Sequence, residues 1–338
     1  MINLVSTQAR NERVTGPSKV FRNLVKGLDA IGYPYSVNHA LNSTRRLWIH
    51  DDHVALKYLS RSHDAAAVVG PNLFVMPDDI PSVVDLRGCL YVHPCVWATN
   101  LWREAGFDAC PVAAWPVGID LDEFSPSAAV ERNAVLVYHK ERPESQLGNV
   151  VAAIRSAGHT VQVIRYGHYV ESELVEAASS ASVVVWHGCH ESQGIALQET
   201  LALDVPIVLM DVTRLSQAVG TYPFGTGYDD FRVTAAPYWD DRCGVRVYTV
   251  DEVVPAVEHV LSHRSEFAPR EFVRESLSLE KQARAFVGLW EHFGLTLEEG
   301  LSETPRSVRA WSEPFSERAG RFAKHAKGAL ARRLGVSR

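Results

Sequence analysis

The sequence predicts an α/β fold made of two doubly wound domains that face each other across a cleft. Short apolar, β-branched runs alternate with amphipathic helical patterns almost throughout, which is typical of parallel strands covered on both faces. This alternation breaks near residue 126 and then restarts. A chain of 338 residues with 46% apolar side chains is long enough for two domains of ordinary size.

The first series of strands and helices predicts a first domain over residues 1–126. Its end is marked by residues 124–133, which are rich in Ser, Pro and charge and keep neither a helical nor a strand period. Such a composition is typical of an interdomain linker. Strands are predicted at INLVS, YSVNH, RLWIHD, AAAVVG, CLYVHP and VAAWPV. Helices are predicted at KVFRNLVKGLDAIG, HVALKYLSRS and WATNLWREAG.

The second series predicts a second domain of the same type over residues 127–270. Within it, residues 213–241 lose the pattern and are expected to form a long loop near the cleft. The run REFVRESLSLEKQARAFVGLWEHFG predicts one long helix, whose part over 271–295 is expected to pack back toward the first domain. Strands are predicted at NAVLVYHK, HTVQVIRYG, ASVVVWHG, VPIVLMD and VRVYTV. Helices are predicted at PESQLGNVVAAIRSAG, VESELVEAASSA, GIALQETLAL and DEVVPAVEHVLSHR.

Composition and charge limit the partners and the compartment. The formal net charge of -6 disfavours nucleic acid as a partner. Five cysteines, without a CxxC pair, fit reduced thiols, and we find no signal peptide and no apolar run of membrane-helix length. We therefore expect a cytoplasmic protein. Residues 296–338 form a basic tail that could contact an anionic membrane surface at the inner face, or could be a solvated terminus; the sequence does not predict the oligomeric state.

A polar turn, CHESQG, precedes the predicted helix GIALQETLAL. Ser192 is a good helix N-cap, and the backbone amides of Gln193, Gly194 and Ile195 would be free at the helix start. Helix starts of this kind attract phosphate, and a glycine there allows close approach of a ligand. The turn is therefore a candidate phosphate site.

Two acids flank this turn in the sequence. Glu191 stands just before it, and Glu199 lies inside an otherwise apolar helical pattern. A carboxylate that is buried there without partners would cost several kcal/mol. Either the two acids bind a polar ligand such as sugar hydroxyls, or Glu199 faces solvent and Glu191 favours the helix dipole.

The segment ESQGIALQETLALDVPIVLMD resembles the donor-site signature of retaining GT-B glycosyltransferases of the family-four type. That signature is E-x7-E with a glycine three residues after the first Glu and a later Pro, matched here by Glu191, Gly194, Glu199 and Pro206. The resemblance implies two Rossmann-like domains. It also implies that Glu191 contacts the hydroxyls of the transferred sugar, that Glu199 accepts hydrogen bonds from the nucleotide ribose, and that the amides around residues 193–195 hold the diphosphate.

Two further stretches support the resemblance. WPVGIDLDEFSP resembles the interdomain segment of the family, with Val117 in place of the usual Asn. RVTGPSKVFRNLVKGLDAIGY resembles the first loop and helix, where Gly16 would let the backbone approach the donor phosphates. The family often has two glycines at that place, whereas this sequence has one.

The sequence departs from the family at the basic pair that neutralises the leaving diphosphate. By alignment with that pattern, Lys140 takes the position of the Arg, His139 the position of the preceding Gly, and Ser145 the position of the Lys. Arg142 could substitute for the missing Lys from within the loop. The resemblance then implies that Glu191 and Lys140 are the catalytic side chains, with His139 and Arg142 at the donor.

A second departure concerns the acceptor side. Many family members place a His after the fourth strand, where this sequence has Gly-Pro followed by Asn72. We take Asn72, together with Asp51 and His93 at the ends of neighbouring strands, as the acceptor-side candidates. A lone His at a strand end is more often structural than functional.

A metal site is the remaining alternative for the polar residues of the second domain. His187, His190 and Glu191 have a spacing that superficially offers zinc ligands. GT-B enzymes generally use protein cations and helix ends instead, so we expect neither a metal nor another cofactor. The nucleotide-diphosphate sugar would be a substrate.

We therefore expect a retaining, metal-independent glycosyltransferase of glycan biosynthesis. It would transfer a sugar from a nucleotide sugar to a hydroxyl of a glycan, a lipid-linked acceptor or a small molecule. The alternative of the same fold is a catalytically degenerate GT-B protein that binds or scaffolds. A Rossmann oxidoreductase is disfavoured because INLVS is followed by TQARNERVTGPSKV, without the G-x-G-x-x-G turn.

Overall fold

A computed structural model describes residues 1–42, 44–59, 66–127, 132–217 and 227–292 of the chain. These ranges contain two α/β units of the predicted kind. The predicted basic tail over 296–338 and the middle of the predicted linker, residues 128–131, lie outside the described residues.

The first unit is a six-stranded parallel sheet in the order β2-β1-β3-β4-β5-β6. The strands at its centre are buried on both faces, which agrees with their continuous apolar sequences. Leu4 pairs with Trp48 in neighbouring strands, and both side chains are fully buried. The elements are β1 (Ile2–Ser6), α1 (Gly16–Ala30), β2 (Tyr35–Val37), β3 (Arg46–His50), α2 (His53–Leu59), β4 (Ala66–Val69), β5 (Cys89–His93), α3 (Val96–Glu104) and β6 (Val112–Ala114).

The second unit is a five-stranded parallel sheet in the order β11-β10-β9-β7-β8. Two helices of the C-terminal region follow it. The elements are β7 (Ala134–His139), α4 (Glu144–Ser156), β8 (Val161–Arg165), α5 (Glu171–Ser179), β9 (Ala181–His187), α6 (Ile195–Ala202), β10 (Ile207–Met210), β11 (Gly244–Val247), α7 (Val253–Ser262), α8 (Pro269–Leu277) and α9 (Leu279–His292). Two doubly wound parallel sheets confirm the predicted fold class.

Helix α1 begins with a well-formed N-terminal cap. The Thr15 side chain accepts from the amide of Ser18 while the Ser18 hydroxyl accepts from the amide of Thr15, and Pro17 occupies the first turn. Val20, Phe21, Leu24 and Leu28 lie buried on one face of the helix. This face packs on the sheet and leaves the first turn at the edge of the cleft.

The predicted long C-terminal helix is in fact two helices. Ser278 has extended dihedrals between α8 and α9, and it forms a parallel bridge with Ile119 of the segment that joins the two domains. The Ile119 amide donates to the carbonyl of Leu277 at 2.8 Å. The helix is interrupted because the chain passes from the second domain to the first at this point. Here it pairs with the earlier segment, at Ile119, in which the chain passes from the first domain to the second.

The two helices pack on different domains. In α8, Arg270 donates to the carbonyls of Ala202 and Phe124, both at 2.6 Å, which ties this helix to α6. In α9, Phe286 packs on Trp48 and Trp115 of the first domain, with ring centroids 5.5 and 4.8 Å apart. The two C-terminal helices therefore connect the two domains, on the side of the molecule where the chain passes from one domain to the other.

We expect Gly118→Ala to destabilise this crossing. A Cβ at Gly118 would lie 2.6 Å from the Leu279 Cα and 2.8 Å from the Ser278 carbonyl oxygen, both of which are backbone atoms. Overpacking of this kind costs about 1–3 kcal/mol. Chemical denaturation should show that loss, whereas Gly148→Ala in α4, where nothing lies within 4 Å, should be neutral or stabilising. Equal stability of the two variants would contradict the close packing of Gly118 against the backbone of Ser278 and Leu279.

Candidate functional site

A cavity of about 650 Å³ lies in the cleft between the two domains. The first domain contributes the segment that leads into α1, together with Asn72 and Pro94. The second domain contributes the ends of β7 and β8, the turn before α6, and α6 itself. The carboxyl ends of parallel strands in both sheets thus open toward one space, where such folds bind ligands.

The turn before α6 differs from the prediction at its cap. The helix begins at Ile195, and Gly194 occupies the N-cap position with a φ of 79°, so Ser192 is not the cap. A side chain rarely adopts this left-handed conformation, which explains the need for glycine. Within the described ranges, the amides of Gln193, Gly194 and Ile195 donate to no protein acceptor. They are free to bind a ligand in the cavity.

The backbone of Glu191 is held from both domains. Its amide donates to the Thr234 carbonyl at 3.1 Å, and its carbonyl accepts from Trp97 Nε1 of α3 at 2.9 Å. Thr234 lies in the loop after β10, and its hydroxyl donates to the buried Asp211, which also pairs with Arg246. The long loop predicted over residues 213–241 therefore reaches the cleft and helps to position Glu191.

Lys140 and Glu191 form an ion pair in the wall of the cavity. Lys140 follows β7, and its Nζ lies 2.8 Å from Glu191 Oε1, with about one-seventh of each side chain exposed. Burial would lower the pKa of Lys140, but the carboxylate of Glu191 outweighs burial and holds the pKa above its usual range. The Tyr166 ring lies 4.5 Å from the ammonium. Lys140 thus remains a cation at the site.

Glu199 is buried in α6 and pairs with Lys19 of the first domain. The Lys19 Nζ lies 2.5 and 2.6 Å from the two carboxylate oxygens, and the same ammonium contacts Glu171 at the start of α5. Burial raises the pKa of Glu199 to about 7, although Lys19 acts in the opposite direction. The alternative in which Glu199 faces solvent does not hold in this structure.

Lys19 was not among the residues predicted for the site. Its partner Glu199 is 180 residues away along the chain, so no local pattern joins the two. One signal was available: a lysine in the first turn of a helix opposes the helix dipole and is unfavourable without an acid nearby. That turn also belongs to the segment around Gly16 that resembles the family's phosphate-facing loop, and Gly16 itself lines the cavity.

Other cavity residues were also missed. Arg13 lies exposed in the segment before α1, and Tyr166 and Tyr169 follow β8 at its carboxyl end. The Tyr169 hydroxyl is 3.2 Å from the hydroxyl of Tyr138, which stands on β7. Their place directly after a strand was the signal that could have identified the two tyrosines, because strand ends of this sheet face the cleft.

Several predicted donor residues lie outside the cavity wall. His139 Nδ1 is 2.9 Å from His187 Nδ1. Arg142 is buried, and its Nε donates to Gln146 at 3.2 Å. Neither residue lines the cavity, and the exposed Ser145 does not either. The structure therefore does not place Arg142 at the cavity, where it would have to lie to replace the missing Lys.

Gln193 has a role that the sequence did not indicate. Its side chain accepts from the Val117 amide at 3.1 Å and donates to the Val117 carbonyl at 2.9 Å. This reciprocal pair holds the turn before α6 against the segment that joins the domains. The Gln193 amide remains available to a ligand while its side chain fixes the turn.

Of the three acceptor-side candidates, Asn72 lines the cavity. Its Oδ1 is 3.1 Å from His50 Nε2, which fixes its orientation. Asp51 instead accepts from the Thr7 hydroxyl at 3.2 Å, and does not line the cavity. His93 is buried against Trp102, with ring centroids 4.4 Å apart, and burial lowers its pKa to about 3. His93 is thus a neutral core residue.

The residues considered for a metal do not converge. His187 Nε2 lies 3.0 Å from Gln146 Oε1, and the ring of His190 packs edge-on against Trp97. Across the described ranges, no three His, Cys, Asp or Glu side chains form a cluster that could hold a metal ion.

In the same ranges, no helix combines the length and the hydropathy that crossing a membrane requires.

No family model matches this sequence, and a search among curated proteins finds no match. Solved structures do match. The sucrose-phosphate synthase from Thermosynechococcus elongatus is 11% identical, with a TM-score of 0.57 over 87% of this chain and 99% of that one. The catalytic domain of starch synthase IV from Arabidopsis thaliana, bound to ADP and acarbose, is 10% identical, with a TM-score of 0.55 over the same shares.

A third similar structure is the lipopolysaccharide outer core galactosyltransferase WaaB in its apo form. It is 9% identical, with a TM-score of 0.51 over 85% of this chain and 98% of that one. Identities this low carry information on the fold alone. Together with the two parallel sheets and the cleft between them, they show that the chain has the GT-B fold, with two Rossmann-like domains facing each other.

Proposed function

We propose that this chain is a glycosyltransferase that transfers a sugar from a nucleotide-sugar donor to an acceptor hydroxyl with retention of configuration. One observation carries the proposal: two acids, Glu191 and Glu199, flank a turn with free amides inside the interdomain cavity, and each acid is paired with a lysine. Burial of charges is costly, and paired ionisable groups in a cleft are more typical of a functional site than of the rest of a protein, which favours an active site here.

In the proposed complex, the donor lies along this turn. The diphosphate would accept from the amides of residues 193–195 at the start of α6, where the helix dipole favours an anion. The ribose would donate to Glu199, and the transferred sugar would donate to Glu191. ADP is bound in the similar starch synthase structure, which agrees with a nucleoside diphosphate as the ligand class.

The cations for the leaving diphosphate would come from both domains. Lys140 lines the cavity from the second domain, and Arg13 lines it from the first. Arg13 would then supply the charge that neither Arg142 nor Ser145 provides. Positive groups of this kind stabilise the charge that develops on the leaving phosphate, which makes a metal ion unnecessary.

The proposed reaction needs no side chain as a base. The acceptor oxygen would attack the anomeric carbon on the face from which the diphosphate departs, so that the bond from the anomeric carbon to the phosphate oxygen breaks as the new glycosidic bond forms. The acceptor proton would pass to the departing phosphate oxygen. The protein would contribute positioning and electrostatic stabilisation, which are large terms in transfer reactions.

A turnover screen tests the proposal. The purified full chain is incubated with a panel of nucleotide sugars, with and without glycan, lipid-linked and small-molecule acceptors, and the products are measured by mass spectrometry. We expect one donor to release its nucleoside diphosphate and to yield a glycoside whose anomeric configuration, read by NMR, equals that of the donor. An inverted product would overturn retention, and donor binding without turnover on any acceptor would favour the scaffold.

We expect Lys140→Met to lower turnover by about 100-fold, because removal of one preorganised electrostatic contact typically costs that much. Lys140→Arg should retain part of the activity, since it keeps the charge next to Glu191. Steady-state kinetics with the donor identified in the screen would measure both. Lys281→Met, on the exposed face of α9, is the matched control and should behave like wild type; equal loss in both variants would contradict the role of Lys140.

A further inference from the structure

A three-charge cluster joins the two domains at the far end of the cavity. It consists of Lys19 on α1, Glu199 on α6 and Glu171 at the start of α5, and all three residues line the cavity. The Lys19 side chain is 17% exposed and that of Glu199 is 5% exposed. The Phe124 ring, 5.5 Å from the ammonium, covers the cluster from the segment that joins the domains. The cation and its main partner thus belong to different domains.

The environment of Glu199 is acidic apart from Lys19. Glu171 from α5 and Glu123 from the interdomain segment act on Glu199 in the same direction as burial and favour its neutral form. Tyr169, before α5, faces it as a neutral phenol whose own pKa is raised. Lys19 acts on Glu199 more strongly than either of these acids, and it favours the carboxylate. The charge of Glu199 therefore depends on a residue of the other domain.

Pairing with Lys19 leaves room for a ligand on the same carboxylate. An ionised carboxylate has about four lone-pair positions on its two oxygens, and Lys19 uses one on each. The remaining positions can accept two hydroxyl hydrogen bonds, which are stronger to a charged acceptor than to a neutral acid. A protonated Glu199 would instead present one donor and fewer acceptor positions to a vicinal diol.

We infer that Lys19 is a positioning residue that holds Glu199 as an anionic acceptor for the ribose hydroxyls of the donor. Because Lys19 belongs to the first domain, the second domain has a complete ribose site only when the two domains are in contact. This inference rests on the proposed function, in which Glu199 binds the ribose. Lys19 does not touch the reacting atoms in this role; it acts through Glu199.

The test measures nucleotide affinity as a function of pH. UDP, ADP and GDP are titrated into the full chain by calorimetry between about pH 5 and about pH 10, because the pKa of Glu199, about 7 in wild type, should stay within this range when it rises by one to three units in the variant. For the diphosphate that wild type binds, Lys19→Met should reduce affinity by roughly 10- to 100-fold near neutral pH, as expected for lost charge-assisted hydrogen bonds.

The pH profile separates positioning from a structural role. Without Lys19, the pKa of Glu199 should rise further, so the affinity of Lys19→Met should recover as the pH increases. The midpoint of its curve of affinity against pH should lie roughly one to three pH units above that of wild type, which is the usual effect of losing one nearby opposite charge. Lys19→Arg should restore the wild-type profile. Lys281→Met, on the exposed face of α9, is the control, because Lys281 neither lines the cavity nor belongs to the charged cluster.

The binding results distinguish a failure of the proposed function from a failure of the inference about Lys19. If wild type binds no diphosphate, the proposed function fails whatever Lys19 does. If wild type binds and Lys19→Met binds equally well, or loses affinity by the same factor at every pH, the inference is overturned and the proposed function stands. Should Lys19→Met prove unstable in a thermal melt, Lys19→Gln gives the same comparison with a neutral side chain that can still form hydrogen bonds.

Discussion

Glu199→Ala should weaken nucleoside diphosphate binding by about 100-fold or more, the largest effect on affinity that we expect from a single change. In the proposed complex, the substitution removes the acceptor of two charge-assisted hydrogen bonds from the ribose, each worth about 1.5–3 kcal/mol. It also leaves Lys19 with Glu171 as its remaining partner in the cluster. Turnover at saturating donor should fall much less, because the ribose contacts are the same before and during the reaction.

Calorimetric titration of the diphosphate that wild type binds would measure this loss. Glu199→Gln keeps the shape of the side chain and should lose most of the same affinity, which excludes collapse of α6 as the cause. Glu258→Ala removes an exposed acid from α7 and should leave the affinity unchanged. Wild-type affinity in both Glu199 variants would show that the ribose is bound elsewhere.

Glu191→Ala should have the opposite kinetic signature. We expect turnover to fall by roughly 100- to 1000-fold, the range seen when one group that stabilises a transition state is removed. The affinity for the free nucleoside diphosphate should change little, because in the proposed complex Glu191 binds the transferred sugar. The loss of Glu191 also leaves the buried Lys140 without its carboxylate partner, so the position of that cation at the leaving group becomes less well defined.

Single-turnover kinetics with the natural donor would separate the chemical step from binding. Glu191→Gln keeps the hydrogen-bonding shape but not the charge, and should retain more activity than Glu191→Ala. A variant of Glu191 that turns over normally but binds the diphosphate poorly would require the roles of the two acids to be exchanged.

The fold was predictable because its signals are local. Most strands of the two sheets are short apolar runs, and the alternation of such runs with amphipathic helices is visible over most of the sequence. The break at Ser278 was not predictable in this way, since helical periodicity continues through it. That break depends on pairing with Ile119, which lies far away in sequence.

In the candidate site, too, the features set by local sequence were predictable, whereas those set by contacts between distant residues were not. Glu191, Gly194 and Glu199 belong to one continuous motif, and the structure places all three at the cavity. His139 and Arg142 were assigned from their positions next to Lys140, but position along a chain does not tell which way a side chain points. His139 pairs with His187, and Arg142 turns toward Gln146.

The cap assigned to Ser192 was wrong, and Lys19 was missed, for different physical reasons. Ser192 has the chemistry of a helix cap, yet the left-handed backbone at Gly194 moves the helix start beyond it. Lys19 was missed because its role exists only when two domains meet. Contacts of this kind depend on tertiary structure, and a single sequence carries no record of them beyond an unfavourable charge in the first turn of α1.

The central claim is that a nucleoside diphosphate binds in the cleft, with its phosphates at the turn before α6 and its ribose on Glu199. A crystal structure of the full chain with the diphosphate it binds tests this claim most directly. We expect ribose hydroxyls at about 2.6–3.2 Å from the Glu199 carboxylate and phosphate oxygens at the amides of residues 193–195. A nucleotide bound outside this cleft, or one whose ribose does not contact Glu199, would contradict it.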